Sequence, residues 1–107
     1  SNPDEHHYVY AYTVSIRNTD SVKVQLLSRH WIITNGETLK TIEVRGDGVI
    51  GQQPNIMPGE AFIYTSGTVL DSAVGTMEGS YQMRDENGDH FTVHIPVFTL
   101  ASTNSVH

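Results

Sequence analysis

Cysteine is absent from all 107 residues of the chain. This absence excludes disulfide bonds, thiolate metal sites and cysteine nucleophiles, and it is compatible with a reducing compartment. No apolar run approaches the ~20 residues that a membrane-spanning helix needs, and residues 1–7 form a polar, acidic lead-in unlike a signal peptide. We therefore expect a soluble, cytoplasmic protein.

Basic residues are scarce. Six Lys and Arg side chains stand against twelve Asp and Glu, which gives a formal net charge of −6 with neutral histidines. A field of this sign repels the phosphates of nucleic acids and of anionic membrane surfaces. Neither a nucleic acid nor a membrane is an expected partner.

Helical periodicity is also missing, whereas alternation with a period of two is common. Between Tyr8 and Arg17 the large side chains fall on every second residue, which predicts a strand with one core face. Six or more such segments, separated by turn residues, predict an all-β fold: a two-sheet β-sandwich of the immunoglobulin or fibronectin type III kind. We expect a single domain over residues 8–107, with Trp31 in its core.

Several irregularities are visible in the strand pattern. The alternation changes phase between Leu26 and Leu27, which predicts a β-bulge or a bend. A strand over residues 61–65 is predicted to end at Ser66-Gly67. In residues 74–83 two glycines share a face with three bulky side chains, which predicts close packing of another backbone or an aromatic ring. Residues 85–89 predict a hairpin turn.

Residues 45–54 contain three glycines at G-x-G-x-x-G spacing: Gly46, Gly48 and Gly51. Glycine permits positive φ and close approach to the backbone, so this loop has the composition to turn N–H groups toward an anion. A dinucleotide fingerprint also needs a following helix, and Gln-Gln-Pro follows instead. Arg45 would support an anion, whereas Glu43 and Asp47 would oppose one. Two interpretations stay open, a structural turn and a contact with phosphate or another ligand.

No other motif predicts a catalytic or metal centre. A G-x-S-x-G elbow for a serine nucleophile is missing, and His90 and His94 would lie about 13 Å apart on a strand, too far for one metal ion. A weak divalent-cation site at the hairpin stays a hypothesis, with the ligands Asp85, Glu86, Asp89 and His90. The polar triplet at residues 28–30, Ser-Arg-His, is either a functional patch or the solvent side of the bend, and we favour the solvent side.

Six segments, in this order, resemble the bacterial ApaG family: LLSRHW at 26–31, EVRGxGVxGxQP at 43–54, PGE at 58–60, YTSG at 64–67, VGTMxGxYxM at 74–83 and IPxFxL at 95–100. The resemblance spans about residue 8 to the C-terminus. It implies a small cytosolic fibronectin III-like sandwich with a protein-interaction role and a family-level link to cobalt and magnesium efflux. It implies no catalytic residue and no cofactor. Its glycine motif, interpreted as a nucleotide or pyrophosphate site, matches Gly46, Gly48 and Gly51.

The resemblance also implies a further N-terminal strand ahead of the position of Asn2-Pro3, before this chain starts. Without that strand an exposed edge is expected, and such an edge favours strand pairing or a homodimer. Thr103 and Ser105 stand where the family often has proline and an apolar residue, which affects the docking of the last strand.

The sequence therefore predicts a non-enzymatic module that binds an unidentified partner protein, with residues 45–54 as the best site. Within that site the candidate ligand-binding residues are Arg45, Gly46, Gly48 and Gly51. The alternative is that the same loop binds pyrophosphate or a nucleotide, as part of a phosphate-ligand enzyme.

Overall fold

The computed structural model describes residues 8–100, which form seven β-strands in two antiparallel sheets. The strands are Tyr8–Arg17 (β1), Val24–Asn35 (β2), Thr41–Asp47 (β3), Asn55–Ile56 (β4), Ala61–Leu70 (β5), Gly75–Asp85 (β6) and His90–Leu100 (β7). This part of the chain contains no helix, and hence no helix able to span a membrane. The predicted all-β sandwich is confirmed.

The two sheets differ in size. The smaller pairs β1 with β5, and the larger has the order β3-β2-β6-β7, with β4 paired to one end of β2. One side of β2 is occupied by β6, whereas the other side is divided between β3 and β4. Within residues 8–100, the strands β1, β3, β5 and β7 each keep a free edge.

One extra residue in β2 sets the orientation of its side chains. The register with β6 shifts between Leu26 and Ser28, so Leu27 is the bulged residue, as the phase change in the sequence predicts. Leu26 before the bulge and Trp31 after it both face the core, with exposures of 0% and 2%. Without the bulge, one of these two side chains would face solvent.

The core is built around Trp31, as predicted. Three aromatic rings contact it with centroid distances of 5.8, 6.0 and 6.1 Å: Tyr12, Tyr81 and Phe98. Its ring lies beside Gly79, where an added Cβ would stand 3.0 Å from Trp31 Cε3 and would overlap the carbonyl oxygen of His30. This is the close approach that the alternating glycines of β6 predict.

Two strands are longer than the sequence pattern predicts. The prediction that a strand ends at residues 66–67 is wrong, because the ladder with β1 keeps β5 extended to Leu70, with Gly67 opposite Ala11. Residues 45–47 belong to β3, because they pair with β2, so the first part of the predicted loop is strand. The two-residue β4 has no signal in the pattern. Pairing with a neighbouring strand outweighs local propensity in each case.

The predicted hairpin turn is confirmed: Asp85 donates its N–H to the carbonyl of Asp89 (2.9 Å), and Gly88 donates to the carbonyl of Asp85 (3.0 Å). β7 continues through Pro96, with a register shift against β6 nearby. The lead-in at residues 1–7 and the positions Thr103 and Ser105 lie outside the described residues.

Candidate functional site

β3 is an edge strand whose inner face the smaller sheet leaves uncovered. Ile42 and Val44 pair with Ile33 and Trp31, which are both core residues. Directly paired side chains lie on the same face of a sheet, so Ile42 and Val44 face inward. They are nevertheless 54% and 36% exposed. An apolar strip therefore continues the core out to the free edge of β3.

Exposed aliphatic side chains also stand at both ends of β3. Leu39 precedes the strand with φ 62° and 74% exposure, and Ile50 follows it with φ 44° and 51% exposure. They are the only non-glycine residues with positive φ in residues 8–100. This conformation costs an L-residue about 1–2 kcal/mol, and such strain clusters at functional sites. Together with Ile42 and Val44 they form what we name the β3 edge surface.

Residues 48–53 form a tight hairpin rather than an open loop. Val49 donates its N–H to the carbonyl of Gln52 (2.8 Å), and Gln52 donates back to Val49 (2.9 Å). Ile50 and Gly51 are the two central residues of this turn, and both have positive φ, as a type I′ turn requires. Gly48 donates its N–H to the carbonyl of Leu27 (2.8 Å). Three N–H groups of residues 48–52 are thus donated within the protein.

Each glycine of the motif has its own structural cause. Gly48 has φ 61°, and an added Cβ would overlap the carbonyl oxygen of Gln52. Gly51 has φ 76° with open space around it. At Gly46, an added Cβ would stand 2.9 Å from both terminal nitrogens of Arg29. These three causes favour the interpretation of the motif as a structural turn.

Arg29 lies on the inner face of the sheet and not on the predicted solvent side. We expected residues 28–30 on the solvent side of the bend, but the bulge at Leu27 places Arg29 on the inner face with Trp31. It is half-buried, and its Nη1 donates to the carbonyl oxygens of Asp47 (3.1 Å) and Gly48 (2.9 Å). Counting the alternation from the bulge rather than from the start of β2 would have found this position.

Arg45 does not converge with the glycines of the motif. On the outer face it donates to the Glu43 carboxylate at 3.2 Å, and His30 Nε2 lies 3.1 Å from the same oxygen. Hydrogen bonds to His30 and then to Arg45 hold the pKa of the Glu43 carboxyl below its usual value. Arg45 is therefore bound to a carboxylate on the face of the sheet away from Arg29.

A pair of buried hydroxyls joins the two sheets near Arg29. The Tyr64 and Tyr81 oxygens lie 2.5 Å apart, linking β5 to β6. Burial raises the pKa of both phenols. The hydrogen bond with Tyr64 raises the pKa of Tyr81 further, while the positive charge of Arg29 opposes the rise at both. Both hydroxyls therefore stay neutral at physiological pH and act as structural partners.

Among residues 8–100 no group of three or more His, Asp or Glu side chains could hold a metal ion. This range includes the turn at residues 85–89 together with His90, so the hypothesis of a weak cation site there has no support in the geometry. The sequence reasoning also missed Leu39, Ile42, Val44 and Ile50. The only signal for Leu39 and Ile50 is an aliphatic residue at a turn position, where polar residues are usual, and Ile42 and Val44 have no such signal.

Comparison with known proteins decides the family. A sequence model of the ApaG domain, also described as DUF525, matches residues 1–85. The "Protein ApaG" sequences of Salmonella arizonae and Salmonella paratyphi B are each 56% identical over 107 residues, covering 100% of this chain and 85% of theirs. The chain belongs to the ApaG family. The resemblance inferred from the six segments is thereby confirmed.

Solved structures agree with this assignment. The crystal structure described as the putative ApaA protein from Bordetella pertussis has a TM-score of 0.89 and 52% identity, over 98% of this chain and 85% of that one. An X-ray structure of a structural genomics target has a TM-score of 0.91 and 45% identity, over 100% and 80% of the two chains. The names of these ApaG relatives state no activity, ligand or partner.

Proposed function

We propose that this ApaG-family chain is a non-enzymatic protein-binding module that takes an extended segment of its partner as an added strand on β3. The exposure of Ile42 and Val44 on the inner face of an edge strand carries this proposal. An edge strand presents unpaired N–H and C=O groups that another strand can bind. Apolar residues at alternate positions of the added strand would pack on Ile42 and Val44.

The free edges of β1 and β5 fit this role less well. β5 contains no charged residue and no proline that would oppose strand addition. Its inward residues Tyr64 and Leu70, however, are only 5% and 4% exposed, as are Tyr10 (3%) and Tyr12 (7%) of β1. The uncovered apolar side chains of β1 and β5, which are Val9, Ile63 and Val69, lie on the outer face. Of these three strands, only β3 exposes apolar side chains on the face that continues the core.

The contacts support binding of moderate strength. Complete burial of an Ile or Val side chain stabilises by about 1.5–3 kcal/mol, so covering the exposed parts of Ile42 and Val44 contributes about 1 kcal/mol each. Each backbone hydrogen bond adds about 1 kcal/mol net. Association costs several kcal/mol of translational and rotational freedom, so micromolar affinity requires the backbone bonds and the whole β3 edge surface together.

Two expectations from the resemblance belong to this proposal: the cytoplasmic location, and the link to cobalt and magnesium efflux, which the module would serve through its partner. Binding of pyrophosphate or a nucleotide by residues 45–54 stays a prediction. The internal use of three N–H groups in that segment supports a structural role for it instead.

The proposed strand addition can be tested by selecting, from a library of short linear peptides, those that bind the full chain. We expect recovered peptides to bind the wild type and to slow hydrogen exchange of β3 amides. Ile42→Lys should abolish this binding, because a charge at that position opposes strand addition. Val97→Lys, at a 58% exposed position on β7, is the matched control and should bind normally. Failure to recover any peptide that protects β3, or full binding by Ile42→Lys, would overturn the proposal.

A further inference from the structure

Arg29 brings a positive charge to the free edge of β3. Its cross-strand neighbour in β3 is Gly46, which has no side chain to block it. The guanidinium occupies the space that a Cβ on Gly46 would need, with Nη1 and Nη2 each 2.9 Å and Cζ 3.0 Å from that position. It reaches past Gly46 to the carbonyls of Asp47 and Gly48. The charge therefore lies across β3, at the end of the apolar strip.

No carboxylate in residues 8–100 forms an ion pair with this guanidinium. The Glu43 carboxylate contacts Arg45 and the imidazole of His30, both on the outer face. Two carbonyl oxygens accept hydrogen bonds from Nη1 but do not neutralise the charge. A guanidinium binds a carboxylate with two parallel hydrogen bonds in preference to neutral acceptors. Arg29 is therefore a half-buried cation with capacity for an external anion.

We propose that the partner segment carries a carboxylate side chain that binds Arg29; this rests on the proposed strand addition at β3. A residue of the added strand opposite Gly46 lies on the same face as Arg29. Because Gly46 has no side chain, nothing on β3 separates that residue from the guanidinium. Residues opposite Val44 and Ile42 lie two and four positions farther along the segment. The partner segment thus has one acidic residue and two apolar residues at alternate positions, with the acidic residue at one end of the three. Their order along the chain depends on whether the added strand is parallel or antiparallel to β3.

The outer face of β3 contributes less than Arg29 to the choice of partner sequence. Glu43 already accepts hydrogen bonds from Arg45 and His30, so a basic residue on the partner would compete with existing contacts. The net charge of −6 repels an acidic segment at long range, and only the local field of Arg29 favours it. An acidic residue should therefore strengthen binding only at the position that meets Arg29, and acidic residues elsewhere in the peptide should weaken it.

Peptides recovered on the wild-type chain supply the test. Each β3-binding peptide is resynthesised with its acidic residue changed to the corresponding amide, and both forms are titrated against wild type, Arg29→Gln and the control Arg84→Gln. Arg84 is an exposed arginine elsewhere in the larger sheet that donates to Gln25 Oε1. The amide change should weaken binding to wild type and to Arg84→Gln by about 10- to 100-fold, the range for a hydrogen bond to a charged group. Arg29→Gln should bind both forms equally.

The outcomes separate the two proposals. Peptides that protect β3 without any preference for an acidic residue would overturn the role of Arg29 and leave the module standing. Recovery of no β3-protecting peptide would overturn both. Concentration-dependent protection of β3 in the absence of peptide would assign the edge to a second copy of the chain and would also overturn the inference. If Arg29→Gln fails to fold, the comparison of acidic and amide peptides on the wild-type chain decides the question alone.

Discussion

Alanine substitutions at the three glycines of the G-x-G-x-x-G motif should have unequal effects on stability. If the motif is a structural turn, the effect of each substitution depends on the local backbone conformation and on the local packing. The residues differ in φ and in the space around an added Cβ: Gly48 has positive φ and no space, Gly51 has positive φ and open space, and Gly46 faces only the movable end of Arg29. The expected order of destabilisation is Gly48→Ala, then Gly51→Ala, then Gly46→Ala.

The magnitudes follow from these contacts. A left-handed backbone costs an alanine about 1–2 kcal/mol, which is the whole expected effect at Gly51. At Gly48 the overlap with the Gln52 carbonyl adds about 1–3 kcal/mol, typical of overpacking, since the backbone has to shift and the two hydrogen bonds between Val49 and Gln52 are disturbed. At Gly46 the Arg29 guanidinium can swing toward solvent, so we expect about 1 kcal/mol or less.

Urea unfolding, followed by tryptophan fluorescence of the single Trp31, measures these differences. Thermal unfolding gives an independent check, because 1 kcal/mol shifts Tm by about 4–8 °C in a domain of this size. If Gly51→Ala destabilised the protein as much as Gly48→Ala, the steric explanation would be refuted. A loss of peptide binding in Gly51→Ala at unchanged stability would instead indicate that the turn itself contacts the partner.

Four further predictions concern other groups. The raised pKa of Tyr81 means that stability is full below the ordinary phenol pKa of 10.0 and falls as the pH rises above it, so Tyr81→Phe should flatten the alkaline decline in urea unfolding. The Glu43 carboxyl should titrate below its usual range by NMR, and His30→Gln should raise its pKa more than Arg45→Gln does; a reversed order would contradict the hydrogen-bond assignment. Because the folded pKa of Glu43 is lowered, its small stabilising contribution is present above the usual carboxyl pKa and is lost as the pH falls. Leu39→Asn should raise the free energy of unfolding by about 0.5–1 kcal/mol, since asparagine tolerates positive φ; a lower value would show that the leucine side chain packs favourably. Titration with pyrophosphate, ATP and Mg²⁺ should leave the amide signals of residues 48–52 unshifted at millimolar ligand, and saturable shifts there would favour the phosphate interpretation.

The fold was predictable because the side-chain alternation is strong. Tyr10, Tyr12 and Trp31 are buried as their parity requires, and even the bulge at Leu27 is visible as a change of phase. The errors occur where pairing with a neighbour decides the local structure. Gly67 looks like a strand end in isolation but lies in the middle of the ladder with β1.

The candidate site was less predictable, because it depends on which parts of one sheet the other sheet leaves uncovered. Ile42 and Val44 have the pattern of core residues, and nothing local indicates that the smaller sheet stops short of them. The orientation of Arg29 depends on the bulge two residues before it. The spacing of the glycine motif suggested an anion site, yet the N–H groups of Gly48 and Val49 are donated within the protein.

The bulge at Leu27 also determines where the length of β2 can change. Leu26 pairs with Met83 and Ser28 with Gln82, the next residue of β6, so removing Leu27 alone would join two regular stretches and leave Trp31 facing inward. A single deletion at any other position of β2 would turn the side chains on one side of the deletion to the opposite face. Loop residues 36–40 have no such parity to preserve. Single deletions in β2 should therefore be tolerated at Leu27 and not elsewhere in the strand, whereas this loop should accept single insertions.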